Sequence, residues 1–366
     1  MTRQGHREDR VDEPRPGVLV IVEASASGHR LSYVAQLVGS GRRAGLEVHL
    51  LTSPGVVNSR EFEIHLGHHQ DDLHVVDHRV PRLRTVRRYA RSYGPCQVVV
   101  PNADRMAMLV GTGGRWRSTS SLSMLIMRDP RLESPTSPVR KVKLGIKLAL
   151  IRRAGRLPRV SIYWLRSAGT LSASDTADCI EDPVDLSHTP ISVESLRREW
   201  RISQDRFWFG VVGALSARKN IDLICRALFV MNRPVGLLIA GELSSGYQLD
   251  DAALERLASA GIVVRLVLRP LTDVEVDSAL AAIDCALIVH TNEGPSGILG
   301  KCMAIGTRVV AGGALSLQRD VELLGSGRWA PLAADQLALA MEQAADDDRP
   351  TVAIAAAAPH MDRLLR

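Results

Sequence analysis

Short apolar runs alternate along the chain with longer amphipathic stretches, separated by small and turn-forming residues. The run GVLVIV predicts a buried strand over Val18–Val22, and ASASG a small-residue loop over Ala24–Gly28. The helical spacing that follows turns Leu31, Val34, Ala35, Leu37 and Val38 to one side. Gly45 ends that helix, and Val48–Leu51 make the next strand. Strand, loop, helix and strand in this order form the unit of a parallel sheet covered by helices. Further apolar runs predict strands at 74–76, 97–100, 123–127 and 160–165.

The second half starts again in the same way. FWFGVV predicts a strand over Phe207–Val212, followed by a glycine-opened loop and a helix from about Ile221. GLLIAGE, residues 236–242, reads as strand and turn, and DDAALERLASAG as a helix stopped by Gly261. IVVRLVLRP is a strand, and Thr272 and Glu275 form a capping box at the head of the next helix. CALIVH, residues 285–290, is a strand, and RVVAGG closes the series. The expected fold class is therefore α/β, with two Rossmann-like domains whose parallel sheets face a central cleft. Residues 1–16 are expected to form a loose tail, 17–188 the first domain, 189–345 the second, and 346–366 a C-terminal helix returning to the first domain. Ligands of open parallel sheets bind outside the carboxyl ends of the strands, so the loops after the strands are where chemistry is sought.

A length of 366 residues suits two cores. Charge divides between them: residues 1–190 hold 28 Lys and Arg against 19 Asp and Glu, whereas 191–366 hold 18 against 21. A basic first half suits an anionic surface or a phosphorylated ligand. The basic stretch VRKVKLGIKLALIRRAGRLPR, residues 139–159, reads either as a sheet-covering helix with a solvated face or as a peripheral contact with anionic lipid. Aromatic residues make up 4% of the chain and no stacking motif is present, which argues against nucleic acid as a partner. The five cysteines are scattered without CxxC spacing, so free thiols are expected and no metal site is read from them. The charged start has no apolar segment behind it, and no run approaches the length of a membrane span. A cytoplasmic protein, in contact with a membrane surface if 139–159 docks there, is the expectation.

Two loops carry the strongest candidates. In TNEGPSGILGKCMAIG, Ser296 is suited to cap a short helix and Gly306 to stop it. The Gly297 and Ile298 amides would then point into the cleft as an anion site, unless the helix is only packed between strands. In GVVGALSARKN, Arg218 and Lys219 stand at a helix start, where cations oppose the macrodipole unless they share an anion with it.

Together these loops resemble the donor-binding domain of glycosyltransferase family 4, which has the two-Rossmann GT-B fold. GALSARKNIDLICRAL keeps Gly213, Leu215, Lys219, Asp222 and Leu223 of that family's pattern, and LLIAGE keeps part of a glycine turn. EGPSGILGKCMAIGTRVVAG is similar to the family's Glu-x7-Glu segment at Glu293-Gly294 and again from Met303 to Val310. More weakly, SASGHRLSYVAQL resembles its first glycine loop and CIEDPVDL its approach to the linker. Two positions depart: the second Glu is Lys301, and the arginine after the first glycine is Ala214. A lysine cannot accept hydrogen bonds from a ribose diol; Lys301 is left to hold a phosphate or to pair with Glu293.

The resemblance implies a retaining sugar transfer from a nucleotide-sugar co-substrate to an unidentified acceptor, without cofactor or metal. It implies that Glu293 faces the donor sugar and that Gly213, Arg218, Lys219, Ser296, Gly297, Ile298 and Lys301 hold the donor, with Glu242 and Arg269 on the same edge. His29 and Gly28 of the first glycine loop are candidates for catalysis and acceptor contact, and Asn102, Asp104, Arg105 and Arg128 for the acceptor. The family's catalytic-loop histidine has no counterpart near Arg128-Asp129. A catalytically altered binding or scaffold protein, and a sugar epimerase of the same fold, are the competing readings.

Overall fold

The structure is a computed structural model. It describes residues 17–26, 30–113, 116, 118–131, 133, 137–171, 178–184, 186, 192–231, 233–325, 327–349, 353 and 360–365. Gly28, His29 and the tail 1–16 lie outside the described residues, as does much of the segment around the expected boundary at 188.

The first half runs β1 (Val18–Val22), α1 (Arg30–Arg43), β2 (Glu47–Thr52), α2 (Pro54–Val57), α3 (Arg60–Leu66), β3 (Leu73–Asp77), α4 (Leu83–Ser92), β4 (Gln97–Val100), α5 (Asp104–Gly113), β5 (Ser121–Ile126), α6 (Pro138–Gly155), β6 (Val160–Arg166) and β7 (Cys179–Glu181). The strands form one parallel seven-stranded sheet in the order β3-β2-β1-β4-β5-β6-β7. Apolar residues on both faces of the strands are covered by helices, as a parallel sheet requires.

The second half runs α7 (Val193–Glu199), β8 (Trp208–Val212), α8 (Ile221–Met231), β9 (Gly236–Ala240), α9 (Asp251–Ser259), β10 (Val263–Val267), α10 (Asp273–Ala282), β11 (Cys285–His290), α11 (Gly297–Ile305), β12 (Arg308–Gly313), α12 (Leu315–Leu324), β13 (Arg328–Ala330) and α13 (Ala334–Ala345). Its parallel sheet has the order β10-β9-β8-β11-β12-β13. The two sheets make this the two-domain Rossmann-like arrangement expected from the sequence. Two strands were not anticipated. β7 and β13 have three residues each, too few to show a period, and they pair only because β6 and β12 offer them an edge.

The chain crosses back at its end. A 3-10 turn over His360–Leu365 buries Met361 and Leu364 completely in the first domain's core, against α1. Arg363 Nη1 fixes it by donating to the Cys179 carbonyl at 3.0 Å.

The domains also touch across the cleft. Ser167 Oγ donates to Asp320 Oδ2, and a Cβ on Gly300 of α11 would stand 2.6 Å from Val184 Cγ2. Both are side chains of one domain meeting the other.

Candidate functional site

In the second sheet the chain leaves β8 toward β9 and β10, then returns to lay β11 on the other side of β8. The loops after β8 and β11 therefore diverge and open a crevice at that switch point. The loop after β8 begins at Gly213, whose φ of 100° excludes other residues at low cost. It makes a 3-10 turn over Ala217–Lys219 and ends at Asn220, left-handed at φ 50°. Asn220 Nδ2 donates to the Val289 carbonyl at 3.1 Å and so ties this loop to the end of β11.

The tie buries Lys219. It is 6% exposed, with Nζ donating to the Val212 carbonyl at 3.1 Å. Burial, and then the charge of Arg218, lower its pKa to about 8. Among the described residues no carboxylate comes within ion-pair distance of it. Arg218 beside it is exposed. A Cβ placed on Gly213 would stand 3.7 Å from Ile298 and 4.0 Å from Lys219 Nζ, so the glycine keeps both at the same opening.

The loop after β11 supplies the other wall. Ser296 caps α11 by accepting from the Leu299 amide at 3.4 Å, and Gly306 ends the helix at φ 85°. Glu293 accepts from two amides at the start of α12, Leu315 N at 3.2 Å and Ser316 N at 2.8 Å. The acid thus neutralises a helix N-terminus and fixes the loop that carries Gly294 to Ser296. Each of its oxygens keeps a second lone pair for a ligand hydroxyl.

The sequence did not single out His290, which reads there as the polar end of an apolar strand. It is buried at the end of β11 with Nδ1 unpartnered among the described residues. Burial, then the charges of Lys219 and Arg218, lower its pKa to about 4. The imidazole is therefore neutral at pH 7, within the field of the Lys219 and Arg218 charges.

Lys301 stands elsewhere. Its Nζ lies 2.5 Å from Asp277 Oδ1 of α10, and both residues are less than a tenth exposed. Lys301, read from the sequence as holding a phosphate or pairing with Glu293, is thus half of a buried ion pair with Asp277. Arg269 is drawn to the cap of α10, 2.5 Å from Glu275, and Glu242 is exposed after β9.

Opposite, the first sheet has its own switch point between β1 and β4. Glu23, after β1, is 4% exposed and its pKa is raised by burial against the charge of Arg30. Arg30 Nη1 lies 3.5 Å from Glu23 Oε1. Arg30 also donates from Nε (2.8 Å) and Nη2 (3.1 Å) to the side-chain oxygen of Asn102, the amide orientation that satisfies both groups. Glu23 Oε2 is buried without a partner among the described residues. Of the sequence candidates on this side, Asn102 belongs to this cluster. Asp104 instead binds the Met127 amide (2.9 Å) and Lys147 (2.8 Å), and Arg105 is exposed on α5. Glu23 and Arg30 flank the small-residue loop, and that position was the available signal for them. Arg128 reaches the second domain: a Cβ on Gly294 would stand 3.6 Å from Arg128 Cγ, and both residues line one pocket with Glu293.

No protein-family model matches the chain, and no curated protein matches it in sequence. Its fold is similar to that of Anabaena HepE, solved in complex with UDP, with a TM-score of 0.62 and 16% identity over 95% of this chain and 93% of that one. It is similar to sucrose-phosphate synthase from Thermosynechococcus elongatus, with a TM-score of 0.65 and 16% identity over 95% and 92%. It is also similar to WaaG, a glycosyltransferase involved in lipopolysaccharide biosynthesis, at 0.55 and 12% over 90% and 91%. These likenesses span both domains and place the architecture among GT-B folds.

Proposed function

We propose that the chain is a glycosyltransferase that moves a sugar from a nucleoside diphosphate donor to an acceptor, with retention at the anomeric carbon. One observation carries the reading: a buried lysine with no acidic partner among the described residues, Lys219, stands at the β8/β11 switch point beside the start of α11. Departure of a diphosphate builds negative charge, and an ammonium held in place with helix amides stabilises it most as the bond breaks. HepE, whose fold this chain shares, was solved with UDP-glucose as well as with UDP. In this reading Glu293 accepts from a donor-sugar hydroxyl, and the Glu23–Arg30–Asn102 cluster faces the acceptor.

The Lys301–Asp277 pair favours a second reading, a binding protein of the same fold that has lost the ribose-reading acid. Turnover separates the two, since a binding protein retains nucleotide without releasing sugar.

Calorimetry against UDP, GDP, ADP, dTDP and CDP and their sugars tests the donor site directly. A diphosphate beside Lys219 restores its proton, so binding near pH 8 takes up about half a proton per site, read from the dependence of the heat on buffer ionisation. Binding with no uptake, or no binding by any nucleotide, removes Lys219 from the donor site.

The acceptor side includes a surface suited to anionic lipid. Helix α6 packs Ile151 and Ala154 inward but exposes Val139, Val142 and Ile146 among Arg140, Lys141 and Lys143. None of the described helices is long and apolar enough to cross a membrane, so this would be contact at the surface. Vesicles containing phosphatidylglycerol are expected to sediment the protein and neutral vesicles to leave it free. Replacing the three apolar residues by serine should reduce binding about tenfold or more. Equal binding to both vesicle types rules this contact out.

A further inference from the structure

We propose that the first domain holds a divalent metal site, built by Glu47, His49 and His74 at the outer edge of its sheet and suited to Zn²⁺. Strands β2 and β3 pair in parallel with His49 directly opposite His74. Residues opposite one another share a face, and so do residues two apart on one strand. The pairing therefore gathers Glu47, His49 and His74 on one side, although no spacing in the sequence connects 49 with 74.

The ligand atoms converge. His49 Nε2 lies 2.7 Å and His74 Nε2 3.6 Å from Glu47 Oε1, and all three ligand atoms fall within 4.8 Å of one another. Ligands about 2.0–2.2 Å from a tetrahedral zinc stand roughly 3.4 Å apart, so side-chain rotation alone closes the set. The two imidazole rings are stacked, with centroids 4.8 Å apart.

A second feature is independent of the cluster. Metal-bound histidines are oriented by a hydrogen bond at the other ring nitrogen. His49 has one: Nδ1 shares a hydrogen bond of 2.9 Å with the Tyr89 hydroxyl, which meets the Tyr93 hydroxyl at 3.1 Å. With Nδ1–H directed to Tyr89, Nε2 turns its lone pair to the cation.

Two imidazoles and a carboxylate suit Zn²⁺ above the hard cations, and a fourth position remains for water. His74 is well exposed, with 66% of its side chain accessible, so the cation has an entry path. β3 is the edge strand. The cation would pin that edge to β2, at the amino end of the strands and away from the donor crevice.

The test is titration of the full chain with ZnCl₂, following the heat and the imidazole proton resonances. One equivalent is expected to bind at micromolar Zn²⁺, moving the resonances of His49 and His74, and to raise Tm. His74→Ala, at an exposed position, and Glu47→Gln should each weaken binding at least tenfold. Tyr89→Phe should weaken it about 10–100-fold without removing a ligand. Uptake undiminished in His74→Ala and Glu47→Gln would assign the metal to other histidines and overturn the site. So would no uptake at about 100 μM Zn²⁺, where an ordered structural site is saturated.

Discussion

If Lys219 holds the donor as proposed, Lys219→Met is expected to lower kcat about 10²–10³-fold and to leave a protein more stable at neutral pH than the parent. In the proposed mechanism the first effect would come from removing a fixed cation from the departing diphosphate, at a cost about that of deleting an oxyanion donor. The second follows from burial. The folded chain holds this lysine at a pKa of about 8 against 10.5 for the free group. That difference is worth roughly 3 kcal/mol of destabilisation while both states are protonated. Between about pH 8 and 10.5 the unfolded chain holds a proton that the folded chain has lost. The stability of the parent therefore rises with pH through that window, while the Met variant lacks this component. Urea unfolding at pH 7 and pH 10 reads the slope, and transfer assays read the rate. A variant with near-parental activity would sink the donor-site assignment, whatever its stability.

Lys301→Ala is expected to unfold more readily by about 3–5 kcal/mol, because it removes the cation from a buried ion pair. Lys301→Glu is worse, setting two carboxylates against each other. The Lys301→Met, Asp277→Leu double variant recovers most of the loss, since apolar replacement of a whole buried pair is often neutral or favourable. Urea midpoints of the parent, Lys301→Met, Asp277→Leu and the double variant measure the coupling. A single variant within 1 kcal/mol of the parent would show that the pair contributes little. The same measurement separates a folding role from a donor role: a lysine needed only by α10 and α11 changes stability before nucleotide preference.

The fold was legible where local chemistry dictates local structure. Ser296 and Gly306 bound α11 because a hydroxyl cap and a left-handed glycine act over a few residues. Thr272 and Glu275 form their capping box for the same reason. The candidate site was legible only by halves. Lys219 stood out because a cation at a helix start is anomalous, yet nothing local reveals that the turn folds it inward onto Val212. His290 ends an apolar run, and its Nδ1, unpartnered among the described residues, becomes visible only when β11 lies beside β8. Asp277 and Lys301 belong to neighbouring helices whose packing neither sequence segment encodes. Arg30, paired with Glu23, meets Asn102 because β1 and β4 are neighbours, a pairing set by topology.

Met361 and Leu364 give the molecule an order of assembly. They fill the core of the first domain, between α1 and the sheet, from the far side of the second domain in sequence. That core keeps a gap until residues 361–364 have been made. The second domain lies between these parts in sequence, and its core residues among those described all precede Met361. The first domain's core therefore cannot close until the sequence of the second domain's core has also been made.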